Sequence, residues 1–236
     1  MAQGWDTDSV ADTITFYQPP ANAAAIVVTQ YASTTFRATP VWAFGAWSDA
    51  LGWPSEVEYL SDRLVFAGSP SQPAAMWMTR IGDYTNFGKS VPVADDDAIT
   101  VTLNARNVNQ IREIVPLDNP LIMTSAAEWR LTAGQDDVLT PSTVGFKPQT
   151  YNGIGSLPAV VVGNVALYVQ DRGFVVRDLA YQFDVDGYTG NNVTVFSAHL
   201  VEGYQLVDLT FQQVPYSIVW FVRDDGTLLS MTYVRE

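Results

Sequence analysis

Arg63-Leu-Val-Phe66, Pro120-Leu-Ile-Met123, Val165-Ala-Leu-Tyr168 and Ser217-Ile-Val-Trp220 are the stretches that decide the fold. Each is a short apolar run, and each is followed by a turn and a second apolar run. Counted from Val65 to Ile122, Leu167 and Val219, they recur at spacings of 57, 45 and 52 residues. A four-stranded propeller blade occupies about 40 to 50 residues, so the recurrence predicts an all-β chain with about four blade-like repeats. Repetition of this kind favours a scaffold over an enzyme.

Working outward, each repeat resolves into strand candidates. The first holds 56–60, 63–67, 75–80 and 99–103. The second holds 111–115, 121–124, 128–132 and 144–149. The third holds 159–162, 165–169, 174–178 and 193–199, and the fourth 206–211, 218–222 and 228–234. The blades therefore span about 54–103, 110–149, 157–199 and 205–236. Gly163-Asn164, Asp171-Arg172-Gly173 and Asp225-Gly226 lie between apolar runs, where glycine supplies the positive φ of a tight hairpin. Long helical periodicity is absent, with one helical turn expected at Ser48–Leu51.

The fourth repeat has three strands. Either an N-terminal strand such as Thr13–Tyr17 completes it, or further protein belongs beside it, which is the expectation the repeat count favours. Residues 1–45 read as a separate Thr- and Ala-rich segment with strands at 13–17 and 26–29. Residues 46–236 read as the propeller-like domain.

Composition narrows the function classes. The 236 residues are 47% hydrophobic and only 16% charged, enough apolar content for a real core. The net charge is −13, and Lys89 and Lys147 are the two lysines. Such a chain does not hold nucleic acid by neutralising phosphates. It repels DNA, which is compatible with a wall along which DNA slides. Without cysteine there is no disulfide, thiolate or zinc–sulfur chemistry. The N-terminus does not read as a signal peptide, and no apolar run is long enough to span a bilayer.

Individual motifs carry little chemistry. Asp95-Asp96-Asp97 reads as a solvated loop before the strand at Ile99, with ligation of a hard cation as the alternative. Asp184-Val-Asp186-Gly187, with Asn191-Asn192 beyond, resembles the start of a calcium loop. It lacks the third ligand and the bidentate Glu at position twelve, so an ordinary turn is expected. His199 is the sole histidine and sits in an alternating stretch, as a structural strand residue would. No catalytic triad assembles without it. With 25 acidic residues, no spacing singles out a carboxylate pair. No glycine-rich phosphate loop is present: Gly153-Ile-Gly155 follows no strand-to-helix pattern and is a weak signal. No catalytic, cofactor or metal residue is nominated.

The strand aromatics Phe66, Trp77, Trp129, Tyr168, Phe174, Trp220 and Phe221 are expected to fill gaps between twisted blades; a stacking surface for sugars is the alternative. Trp5, Trp47 and Trp53 lie outside the clear repeats and suit an interface better. The long loops 69–73, 82–89 and 184–192 complete the interface candidates: Trp47, Trp53, Ser69, Gln72, Asp83, Tyr84, Asp186 and Tyr188.

An ordered series of short motifs carries a family resemblance. It runs through 44–49 (Phe-Gly-Ala-Trp-Ser-Asp), 52–54 (Gly-Trp-Pro), 63–73 (Arg-Leu-Val-Phe-Ala-Gly-Ser-Pro-Ser-Gln-Pro) and 82–87 (Gly-Asp-Tyr-Thr-Asn-Phe). It continues through 95–99, 125–129, 139–142, 178–181, 185–188 and 222–226. The series resembles the tail nozzle proteins of short-tailed bacteriophages, also described as tail tubular protein B or phage stabilisation proteins, from about Trp42 to Glu236. The resemblance implies a β-propeller within a hexameric tube that meets the tail adaptor and other tail proteins. DNA would leave the virion through that tube without specific binding. It implies no catalysis, no cofactor and no small-molecule substrate, and a chain longer than this one. Two other readings stand beside it: a carbohydrate-binding or carbohydrate-cleaving propeller that recognises a host surface, and a propeller interaction module that binds a peptide at its rim.

Overall fold

The computed structural model describes residues 5–8, 13–16, 45–104, 109–134, 138–171 and 174–234. It divides into two compact units, residues 1–53 with 69–71 and residues 54–68 with 72–236.

In the first unit, strands β1 (Trp5–Asp8) and β2 (Thr13–Phe16) form an antiparallel pair. The expected strand at 26–29 lies outside the described residues. The turn expected at Ser48–Leu51 is present: the Ser48 carbonyl accepts from the Leu51 and Gly52 amides at 3.1 and 2.7 Å. The Ser48 hydroxyl takes a second bond from Leu51 N–H at 3.1 Å.

The second unit is all β, in four antiparallel sheets. Sheet one holds β3 (Glu56–Leu60), β4 (Arg63–Ala67), β5 (Ala75–Met78) and β6 (Ile99–Thr102). Sheet two holds β7 (Ile111–Val115), β8 (Leu121–Thr124), β9 (Glu128–Thr132) and β10 (Gly145–Thr150). Sheet three holds β11 (Val160–Val162), β12 (Val165–Val169), β13 (Val176–Gln182) and β14 (Gly187–Asn192). Sheet four holds β15 (Leu206–Gln212), β16 (Ile218–Arg223) and β17 (Leu228–Thr232). Each sheet pairs its strands in sequence order, whether the connection is a tight turn, as between β3 and β4, or a long loop, as between β5 and β6. Gly163 and Gly226 take φ of 62° and 83° in two of those turns, as the sequence requires. Ser61 and Asp62 both adopt positive φ between β3 and β4, the geometry whose twist matches a two-residue hairpin.

Three apolar clusters hold the sheets face to face. The first joins Val65, Met76 and Met78 of sheet one to Ile114, Ile122 and Trp129 of sheet two. The second joins Leu121 and Met123 to Ala166, Tyr168 and Leu179. The third joins Leu167, Val169 and Val176 to Leu209, Val219 and Phe221. Side chains on a strand alternate between faces. Ile122 therefore serves the first cluster while its neighbours serve the second. Tyr168 and Leu167 divide in the same way between the second and third.

This geometry explains the repeated motif. β8 and β12 lie in sheets covered on both faces, and every residue in them is buried. Such strands read as unbroken apolar runs. In β4 and β16 burial alternates instead. There Val65 and Ala67, or Val219 and Phe221, face a neighbouring sheet, while Ile218, Trp220 and Val222 face away from one. The sheets are also aligned with one another: first strands contact first strands (β3 with β7, β11 with β15), and the fourth strands β10 and β14 meet. No cluster joins sheet four to sheet one among the described residues.

Two expectations are corrected. The fourth strand of sheet three is Gly187–Asn192, not 193–199. Phe183–Val185 forms a 3-10 turn, and Asp186 then adopts a left-handed conformation with φ 45° and ψ 53°. That reversal returns the chain at once, so Gly187–Asn192 pairs with β13 despite the weak strand preference of Gly and Asn. The displaced residues form a turn and a short helix, α1 (Ala198–Val201). His199 is consequently an exposed helical residue rather than a strand residue.

Candidate functional site

The described residues come together most distinctively where the first strands of sheets one and two meet. A bulge starts the arrangement. Ile111 lies opposite Thr124 and Glu113 opposite Met123, so Arg112 is the extra residue of β7. A bulge bends its strand and re-aims side chains. Arg112 and Glu113 accordingly line the same cleft, of about 380 Å³, together with Glu56, Gln110, Ile154 and Leu157.

Both bulge residues grip the segment that leads into β11. Arg112 Nη1 donates to the Ile154 carbonyl at 2.6 Å and pairs with the Asp171 carboxylate. Glu113 Oε2 accepts the Ala159 N–H at 2.6 Å. Across the cleft, Glu56 and Glu58 project from β3. Burial pushes the Glu113 carboxyl up to about 7; the Ala159 amide opposes the rise, and the charges of Glu56 and Glu58 add to it. Burial alone pushes Glu56 to about 7. Two half-buried carboxyls in one cleft, both raised by burial, are the strongest chemical feature among the described residues.

A second cleft, of about 440 Å³, opens beside sheets two and three, with Asp118, Asn119, Asn164, Tyr181 and Tyr188 among its lining residues. Tyr181 and Tyr188 meet edge to face at 5.6 Å. The Tyr181 hydroxyl donates to Asp186 at 2.7 Å, and this bond, followed by the charges of Lys147 and Arg130, holds the Asp186 carboxyl below its usual range.

The interface candidates from the sequence are dispersed. Trp53 is 54% exposed, and its indole N–H donates to Asp49 at 3.3 Å. Trp47 is half-buried and Ser69 buried. Gln72, Asp83 and Asp186 are exposed. Tyr84 is exposed and packs edge to face on Tyr59 at 5.3 Å. Tyr188 is buried, and its hydroxyl donates to the Asn119 carbonyl at 3.1 Å. Tyr188→Phe is expected to cost about 1 kcal/mol, the net worth of one buried hydrogen bond. Urea denaturation checks this value. Asp171-Arg172-Gly173 extends beyond the described residues at its last two positions.

The aspartate run has a structural assignment. Asp97 is buried and accepts from Ser90 N–H at 2.7 Å, Ser90 Oγ at 2.9 Å and Ala94 N–H at 2.9 Å. Backbone donation from Ala94 is the main cause that holds its carboxyl below the usual range. Asp96 pairs with Arg80 at 2.5 Å. The Asp95 and Asp97 carbonyls, with those of Thr79 and Leu139, receive the fully buried guanidinium of Arg63. Among the described residues, no group of three or more His, Cys, Asp or Glu side chains is placed to hold a metal ion. No helix among them is long and apolar enough to cross a membrane.

No family model matches the chain, and no curated protein matches it. The carboxyl pair of Glu56 and Glu113 escapes sequence reading because it joins residues far apart in the chain. The local signal was the Arg-Glu dipeptide inside an apolar strand, where an ordinary alternating pattern would place only one polar residue on the cleft side.

Proposed function

We propose that this chain is a structural component of a bacteriophage tail, part of the nozzle wall through which genomic DNA is ejected, and that it works as a homo-oligomer, a hexameric ring, against the tail adaptor and other tail proteins of the virion. The observation that carries the reading is the chemistry of the aligned first strands. They present Glu56, Glu58, Glu113 and Asp208, and their one cation, Arg112, is engaged by Asp171 and a carbonyl. Lys147 lies on the fourth strand β10, and Lys89 in the β5–β6 loop. An edge of this kind repels a polyanion, and more strongly as Glu56 and Glu113 give up their protons, so DNA would pass without adsorbing. A stack whose end sheets turn Ile218, Trp220, Val57 and Tyr59 away from their neighbours also suits a protein that works in an assembly. The ordered motifs of the nozzle family support the same conclusion.

Electron cryo-microscopy of intact particles tests this reading. Density for the chain is expected around the tail axis, with the first strands nearest the DNA path. Density elsewhere in the particle sinks the proposal, as does a stable monomer at micromolar concentration by mass measurement.

The second cleft favours one other reading, a carbohydrate-binding module, since tyrosines beside Asp118, Asn119 and Asn164 combine a stacking surface with hydrogen-bonding groups. Binding on a glycan array that is lost in Tyr181→Ala would establish it. An array without signal removes it.

A further inference from the structure

We propose that the seam between the first strands of sheets one and two is a proton-operated joint, closed when the Glu56–Glu113 pair holds protons and loosened when both carboxyls ionise. The inference is independent of the tail reading, because it rests only on how three chain segments meet.

The geometry makes Glu113 a three-way contact. It belongs to β7, it faces β3 across the cleft, and it holds the Ala159 N–H of the lead-in to β11 at 2.6 Å. β3 and β7 touch along this seam, Glu56 and Glu113 line one cleft, and the charge of Glu58 is near enough to act on Glu113. Among the described residues, the groups that face the pair are few. β3 supplies Glu56 and Glu58, and β7 supplies Arg112 beside Glu113. The segment 154–159 carries no ionisable side chain. Arg112 has its charge answered by Asp171. Among the described residues the cleft therefore carries an excess of negative charge once its carboxyls ionise, since the arginine that lines it, Arg112, is already engaged.

The direction of the effect follows from linkage. The ordinary value for these carboxyls is 4.5, and in the folded chain both lie near 7. Between those values the folded chain holds protons that the unfolded chain has released. The stabilising effect of the protonated pair is thus fully present at the acid end, declines as pH rises through the window, and is gone above the folded value. The cost of ionisation falls on the seam, chiefly because both carboxyls are withdrawn from water there, with repulsion from Glu56 and Glu58 adding at Glu113.

Hydrogen–deuterium exchange on the full chain between about pH 5.5 and 8.5, corrected for intrinsic exchange at each pH, reads this directly. Peptides covering 55–60 and 110–115 are expected to lose about tenfold protection relative to the β12 peptide 165–169 across that range. The double variant Glu56→Gln, Glu113→Gln carries neutral isosteres and is expected to hold its protection flat. A pH step of equal size at β12, or one that survives in the double variant, overturns the proposal. Should the double variant fail to fold, carboxyl carbon-13 titration of the unaltered chain decides. Two glutamates with midpoints near 7 support the joint. Titration of every glutamate in the ordinary range refutes it.

Discussion

Arg63→Ala is expected to lower the unfolding free energy by about 4 kcal/mol, near the upper end for a single substitution. The Arg63 side chain is fully buried, and its guanidinium donates to four carbonyls: Thr79 and Asp97 at 2.6 Å, Asp95 at 3.0 Å and Leu139 at 3.2 Å. Those acceptors come from the end of β5, the loop before β6, and the loop of sheet two. One side chain therefore fastens three segments, the most distant being 76 residues away in sequence. Removing it leaves buried acceptors without donors, at about 1–3 kcal/mol for each group that water cannot reach. Burial pulls the Arg63 pKa below its usual value, while the charges of Asp96 and Asp97 pull it back up. Arg63→Lys keeps the charge, but a single ammonium cannot reproduce the planar fork, so about half the loss is expected. Urea denaturation with an unchanged m-value measures both. A shift below about 1 kcal/mol for the alanine variant would show that water replaces the guanidinium.

Gly153→Ala is the second large effect, again about 4 kcal/mol, from two causes that add. Gly153 has φ +72°, a conformation that disfavours any side chain. A Cβ there would also lie 2.3 Å from the Ser125 carbonyl oxygen and 2.9 Å from Ala126 N, both backbone atoms that cannot swing aside. Gly163 provides the control. Its φ is +62°, but a Cβ would meet nothing within 4 Å, so Gly163→Ala should cost only about 1 kcal/mol. If the two variants prove equally stable by thermal or urea denaturation, the close approach at Ser125 is wrong. The clash also has a directional consequence. It pushes segment 154–159 off sheet two, so Gly153→Ala should weaken the grip of Arg112 and Glu113 on that segment.

Much of the fold was legible because its signals are local. The runs at β4, β8, β12 and β16 appear at their expected places, and the hairpin glycines Gly163 and Gly226 adopt the positive φ their positions require. β14 was not legible, because Gly187-Tyr-Thr-Gly-Asn-Asn192 has poor strand propensity and pairs only through the reversal at Asp186. Arg63 opens one of the repeated apolar runs, and nothing nearby announces that its acceptors lie in loops far along the chain. Asp95-Asp-Asp97 read as a solvated loop, yet Asp97 is buried, two of the run's carbonyls serve Arg63 and its last two carboxylates face Arg80. Gly153-Ile-Gly155 has no phosphate-loop pattern, and Gly153 instead allows the close backbone approach at Ser125. The acidic cleft escaped for the same reason as Arg63: Glu56 and Glu113 meet only after two sheets have stacked.

The contrast between the unbroken burial of β8 and β12 and the alternation of β4 and β16 has a bearing on how the molecule comes apart. Among the described residues each apolar cluster joins sheets adjacent in sequence, so stability is set locally, as in a one-dimensional array of coupled units. Sheets two and three are held from both sides, whereas sheet four, with three strands, is held through one cluster alone. Loss of order should therefore start there and travel inward like a row of dominoes, and the interior pair of sheets should be the last to let go.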